Sequence, residues 1–233
     1  MKRVVYTKRG GLEAIEIIEE DAPTPKADEV LIEVHRAGIN FADLMMRQGL
    51  YGAAPDFPFT PGYEVSGVVL ATGQDVKEHE VGDRVVALTG FGGYAEQVVV
   101  AQERAWTLPD NVSFDAAAAM PVTYLTSHHM LVHLGNFREG DSVLVYHAAG
   151  GVGTATAQIV KALNGGVIYG TSSPEKAEFV EKHGFVDKVV HRKELGEQIS
   201  KLLSILLKKN SEVNSDNLNE TSENIEPLTK AAS

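Results

Sequence analysis

A chain of 233 residues with a net charge of −11 and no cysteine has room for one large domain or two modest ones. The acidity argues against nucleic acid or an anionic membrane surface as main partner, and the lack of cysteine removes disulfides and thiolate metal centres. The start, MKRVVYTKRGG, is basic but lacks the apolar run of a secretory signal, and no stretch approaches the roughly 18 apolar residues of a membrane span, so the expected compartment is the cytoplasm.

Taken in order, residues 1 to about 115 read as a β domain. Strand-like runs recur with turns between them: Val30–Val34 after the Pro23/Pro25 turn, Tyr63–Ala71, Arg84–Leu88 after Val81-Gly82-Asp83, and Tyr94–Ala101 after Gly92-Gly93. Many short strands at this spacing suggest a barrel. One short helix, Phe41–Gln48, interrupts them, with Asn40 in the N-cap position. From about Asp115 the period becomes helical. Ala116–Met120 and Val122–Leu134 read as helices, the first with Asp115 as its cap. Val143–Tyr146, Val167–Gly170 and Val186–His191 then read as strands, alternating with helices at Thr154–Leu163 and Pro174–His183, the latter ended by Gly184. This is one half of a doubly wound α/β fold. Asn210–Ser233, rich in Asn, Ser and Glu, is expected to be disordered. The expected domains are therefore 1–115, 116–203 and a tail at 204–233.

The stretch VLVYHAAGGVG (143–153) carries the strongest chemical signal. A buried strand runs into a glycine-rich turn and then a helix. In the spacing G-x-G-x-x-G, Ala148 stands in the first glycine's place, and Gly150 and Gly153 fill the other two. Such a turn, through Gly151 and Val152, aims helix N–H groups and the helix dipole at a pyrophosphate. A ligand-free tight turn is the competing account. At the end of the next strand, Thr171-Ser172-Ser173 offers no carboxylate to bond a ribose 2′-OH or repel a 2′-phosphate. Lys176, close behind, supplies a cation. Ser-Ser-Pro-Glu is equally a good helix start, and the two roles are compatible. Asp43 and Arg47 share a helix face and suit a solvated i, i+4 pair. His128 and His129, adjacent in sequence, face different ways and make a poor metal site.

AGINFADLMMRQGLY, PFTPGYEVSGVV, VGDRVVAL, GGYAEQVVV and HAAGGVG, in this order, resemble the zinc-free branch of the medium-chain dehydrogenase/reductase superfamily. The likeness is to quinone oxidoreductases of the zeta-crystallin type and, among them, to the synaptic vesicle membrane protein group. It runs from about residue 3 to about residue 200. The resemblance implies a GroES-like β-barrel domain followed by a Rossmann domain, here partial and about three-stranded, with the active site in the cleft between them. It implies NADPH as cofactor, hydride transfer to a quinone or enone, and no metal: Asn40 and Tyr63 replace the Cys and His ligands of zinc-dependent relatives, leaving only Glu64. It places Asn40 and Tyr51 along the substrate cleft and Thr126 near the nicotinamide. A cap at Asn40, loop packing at Tyr51 and an ordinary helical position at Thr126 are the competing accounts. The vesicle group raises peripheral membrane association and a catalytically silent binding protein as the alternative function. Family members continue beyond the point where the likeness stops, through the rest of the parallel sheet and a dimer-forming strand. The expectation is thus a truncated form with weak turnover or none.

Overall fold

The computed structural model describes residues 1–183 and 185–191, together with Gly196, Ser200, Lys201, Leu203 and Ser204. The expected tail at 204–233 lies outside the described residues, Ser204 apart. Gly184 and most of residues 192–203 lie outside them too. By its internal contacts the chain divides into two compact units, Met1–Glu139 with Lys161–Leu163, and Gly140–Val160 with Asn164 onward. The change of period near 115 marks where strands give way to helices; the units part at 139/140.

The first unit is built on a five-stranded antiparallel sheet of β3 (Glu29–Ala37), β4 (Glu64–Thr72), β5 (Arg84–Leu88), β6 (Gln97–Ala101) and β7 (Ala105–Thr107), in the order β6-β3-β4-β5-β7. Its core follows the strand period of two: Val30 and Ile32, Val65 and Val69, Val85 and Ala87, Val98 and Val100 all point inward and are buried. The register of β3 on β4 shifts between Val34 and Arg36, where Val34 faces Gly67. A Cβ on Gly67 would come within 1.8 Å of the Glu33 carbonyl oxygen, so only glycine lets the strands close at this irregularity.

A two-stranded ribbon of β1 (Lys2–Tyr6) and β2 (Ile15–Glu19) lies outside that sheet. Neither strand is among those expected from sequence, nor is β7. The pattern IEIIE in β2 breaks the alternation that signals a strand, and β7 has three residues. The run Tyr94–Ala101 divides: Gln97–Ala101 pairs with β3, while the Tyr94 carbonyl accepts from Val4 N–H at 2.8 Å. Helix α1 (Phe41–Arg47) buries Met46 against Tyr6 and Phe59.

Helices α2 (Phe114–Ala118) and α3 (Pro121–His128) follow. The cap of α2 is Ser113, whose side chain accepts from Ala116 N–H, and not Asp115, which instead pairs with Arg36. The segment after α3, His129–Leu134, is wound as a π-helix, so the single helix expected over 122–134 changes pitch midway.

The second unit has a parallel sheet of β8 (Val143–Val145), β9 (Ile168–Ser172) and β10 (Lys188–His191), in the order β10-β9-β8. Helices α4 (Gly151–Ala162) and α5 (Pro174–Lys182) make the crossovers. All five residues of β9 are buried, as expected for the middle strand of a parallel sheet. This is the beginning of a Rossmann fold, with the three strands that the sequence pattern implies.

Candidate functional site

In the second unit the chain leaves β8 and turns at His147, whose φ is +53°, in the left-handed region that few non-glycine residues enter. Both backbone polar groups of His147 fix the turn. Its N–H donates to Thr171 Oγ1 at 3.0 Å, and its carbonyl accepts from Gly150 N–H at 2.8 Å. Ala148 N–H donates to the Thr171 carbonyl at 2.9 Å. Thus the end of β9 holds the turn from both sides.

Alanine in the first glycine position has a physical reason. Ala148 is fully buried, and a Cβ on Gly170 would lie 2.7 Å from the Ala148 Cβ. The glycine that makes room has moved to the neighbouring strand. Gly153 keeps its usual part: a Cβ there would sit 2.5 Å from the His147 carbonyl oxygen and 2.7 Å from Ala148 Cα. The turn and helix can approach this closely only without a side chain.

This packing leaves a cavity of about 230 Å³ lined by His147, Ala149, Gly150, Thr171, Ser172, Ser173 and Lys176. Five of these, Gly150, Thr171, Ser172, Ser173 and Lys176, are positions that the sequence picks out for a nucleotide. His147 and Ala149 are not, and no glycine or charge pattern marks them. Ala148 sits behind the cavity, in the core. Gly151, Val152 and Gly153 form the first turn of α4, which begins at residue 151, three residues before the apolar spacing suggests. Ser172 is 7 % exposed, and its hydroxyl has no hydrogen-bond partner. A buried hydroxyl without a partner costs about 1–3 kcal/mol. The residue lines the cavity together with an exposed cation, Lys176. Ser173 is the N-cap residue of α5, with Pro174 in the first turn. Its hydroxyl bonds the exposed Glu175, holding that carboxyl below its ordinary pKa.

The first unit gathers a second polar group. Glu64, at the start of β4, is 2 % exposed. Its Oε1 accepts from Asn40 Nδ2 at 2.8 Å and its Oε2 from Val122 N–H, in the first turn of α3, at 2.7 Å. Burial raises the Glu64 pKa above the ordinary carboxylate value, outweighing the two donors. Asn40 therefore precedes α1 as its cap residue, in a capping box with Asp43, and its amide nitrogen also donates to Glu64. The capping carboxylate is Asp43, whose Oδ2 accepts from Asn40 N–H at 2.8 Å and from Tyr94 Oη at 2.7 Å. Asp43 is 1 % exposed, so the solvated Asp43–Arg47 pair gives way to a buried carboxylate held by Tyr94. Burial first, and then the Asp43 bond, raise the Tyr94 pKa. Tyr51 lies beside Tyr63, whose hydroxyl is pushed up to about 12, chiefly by burial and then by the Tyr51 hydrogen bond. Thr126 is exposed on α3, one turn beyond Val122. His128 and His129 are exposed, each with its ring near His133.

Comparison with known proteins agrees with this architecture. Residues 26–110 match the alcohol dehydrogenase GroES-like domain family. The synaptic vesicle membrane protein VAT-1 homolog of Danio rerio is 41 % identical over 192 residues, covering 82 % of this chain and 40 % of the relative. Quinone oxidoreductase-like protein 2 of Bos taurus is 40 % identical, covering 80 % and 54 %. Among solved structures, the Escherichia coli quinone oxidoreductase complexed with NADPH superposes with a TM-score of 0.81 at 32 % identity, covering 88 % of this chain and 63 % of that one. The chain thus spans about half the length of the curated relatives it matches. Over that span it carries the GroES-like sheet and the opening βαβαβ of the Rossmann fold in the same order as these relatives. Residues 26–110 thus belong to the alcohol dehydrogenase GroES-like domain family, and the chain as a whole is similar to the VAT-1 homologues and quinone oxidoreductases.

Proposed function

We propose that this chain forms the nucleotide-binding and substrate-facing part of an NADPH-dependent, zinc-independent oxidoreductase that reduces quinones or enones in the cytoplasm. The carrying observation is the cavity at the end of β9, where the buried Ser172 hydroxyl has no partner and Lys176 stands at the same opening. That donor set fits a 2′-phosphate: a hydroxyl, an ammonium and no carboxylate among the lining residues. The N–H groups of the first turn of α4, Gly151 to Gly153, suit the pyrophosphate. Solved relatives from Escherichia coli and Thermus thermophilus are described as NADPH complexes, and both are about one-third identical to this chain.

Bound NADPH would supply a hydride, transferred to the β-carbon of the acceptor. The chain's own groups would orient the acceptor and polarise its carbonyl. Asn40 is suited to this because Glu64 fixes its amide: a carboxylate only accepts, so Nδ2 turns toward Glu64. Tyr51 and Thr126 are the other two candidates for the substrate side. A zinc ion does not fit this donor set. Asn40 and Tyr63 are poor ligands for it, and both oxygens of Glu64 are already engaged by Asn40 and Val122.

A second reading is a binding protein without turnover, associated with a membrane or vesicle partner. Its support is the name borne by the vesicle-protein relatives. Among the described residues no helix is long and apolar enough to cross a membrane.

Thermal unfolding with millimolar NADPH or NADH tests the proposal. A ligand at a hundredfold excess over Kd stabilises the native state by about 2.7 kcal/mol. The expected result is a larger rise in Tm with NADPH than with NADH, followed by NADPH oxidation when a quinone is added. A melt indifferent to both nucleotides overturns the proposal. A rise without oxidation favours the silent binding protein.

A further inference from the structure

We infer that His147 is a phosphate-binding residue of the cavity, acting with Ser172 and Lys176 on a 2′-phosphate. The inference rests on the nucleotide reading above and adds to it a residue that the glycine motif does not contain. Three observations carry it. His147 lines the same 230 Å³ cavity as Ser172, Ser173 and Lys176. Its side chain is exposed, although its backbone sits in the middle of a tight turn. And its backbone is left-handed, at φ +53°, held there by the bonds to Thr171 and Gly150.

A left-handed conformation would ordinarily be given to glycine or asparagine, at less cost than to histidine. The two backbone bonds would form equally well with either. What histidine adds is an imidazole at a cavity that Lys176 and Ser172 also line. Imidazole donates a hydrogen bond in either charge state, and as a cation it attracts a phosphate dianion more strongly. A strained residue kept by its surroundings is a reason to look for a function.

Three lining residues, from three separate elements, would then serve one phosphate. They are His147 from the turn after β8, Ser172 from the end of β9 and Lys176 from the first turn of α5. A pyrophosphate lacks this need, because the α4 amides already suit it. A 2′-phosphate, with more charge at neutral pH and more terminal oxygens, uses three donors fully.

Calorimetric titration of the full-length chain with 2′-AMP, 5′-ADP and 2′,5′-ADP separates the two phosphate positions without any need for turnover. The variants are His147→Asn and His147→Gly, both of which accept the left-handed backbone. They remove the ring while keeping the turn, and unchanged unfolding midpoints would verify this. The expected result is about tenfold weaker binding of 2′-AMP and 2′,5′-ADP in both variants, with 5′-ADP unchanged. Unchanged affinity for the 2′-phosphates overturns the inference. So does an equal loss for 5′-ADP, which would place His147 on the pyrophosphate or the adenosine. If the unaltered chain binds none of the three, the nucleotide reading itself falls, and the inference with it.

Discussion

In the first unit, Glu64 and Asp43 are as buried as the valines around them, and Glu64 meets a donor at each oxygen: Asn40 and Val122. In the second unit, Ser172 is almost as buried, yet its hydroxyl has no hydrogen-bond partner, and the residue lines a cavity with an exposed lysine. Both arrangements put polar groups where water is scarce. At Glu64 both oxygens are satisfied from within, which ties β4 to α1 and α3, although Asp43 Oδ1 nearby has no hydrogen-bond partner. At Ser172 the donor is left unpaired, which a compact domain tolerates only at a cost, and which a ligand can recover. An unpaired buried polar group is thus evidence for binding where, as at Ser172, its residue lines a cavity that also presents a cation.

Substitutions should separate the two. The largest effect is expected at Gly153. A side chain there would strike the His147 carbonyl oxygen and Ala148 Cα, both backbone atoms of the turn. Gly153→Val should cost on the order of 3 kcal/mol and abolish nucleotide binding, measured by denaturant unfolding and by titration with NADPH. A variant of wild-type stability would show that the turn does not need this close approach.

Glu64→Ala comes next. It leaves the Val122 N–H and the Asn40 amide without their acceptor, which should cost about 2–3 kcal/mol. Its NADPH affinity should stay near that of the wild type, because no residue of the cavity changes. The opposite pattern is expected at Lys176→Ala. The side chain is exposed, so stability should hold within about 0.5 kcal/mol, while affinity for a 2′-phosphorylated nucleotide falls about tenfold. If Glu64→Ala weakened binding and Lys176→Ala weakened only the fold, the contrast between the units would be reversed.

Much of this was legible in the sequence. The three parallel strands, the helices between them and the strands from Val30 to Ala101 each carry a period of their own. The glycine pattern with Thr171, Ser172, Ser173 and Lys176 marks five of the seven residues that line the cavity. What sequence missed has physical causes. Strands β1 and β2 form a ribbon outside the main sheet, and β7 is only three residues long, so alternation is weak or too brief. The cap of α2 went to Ser113, not Asp115, because Arg36, far away in sequence, holds the Asp115 carboxylate. Asp43 suits a surface pair by local spacing; its burial is supported by the Asn40 N–H and by Tyr94, on a distant loop. His147 was invisible because its position is set by a backbone angle, which no residue pattern announces at a histidine.

The smallest effect is the most direct test of how Glu64 is held. Burial raises its folded pKa above that of the unfolded chain, more than the Asn40 and Val122 donors lower it. The neutral form is therefore the one the fold favours. Its contribution is full below the unfolded carboxylate pKa and is lost as pH rises through the raised folded value. Glu64→Gln cannot ionise, so it keeps a neutral side chain at every pH. The stability of the wild type relative to Glu64→Gln should decline as pH rises from the acid side through that window and stay level above it. Urea unfolding midpoints of the two chains at a series of pH values measure this difference. A difference that instead grew with pH would mean that the two donors outweigh burial, and that Glu64 acts as an ionised anchor for Asn40 and α3.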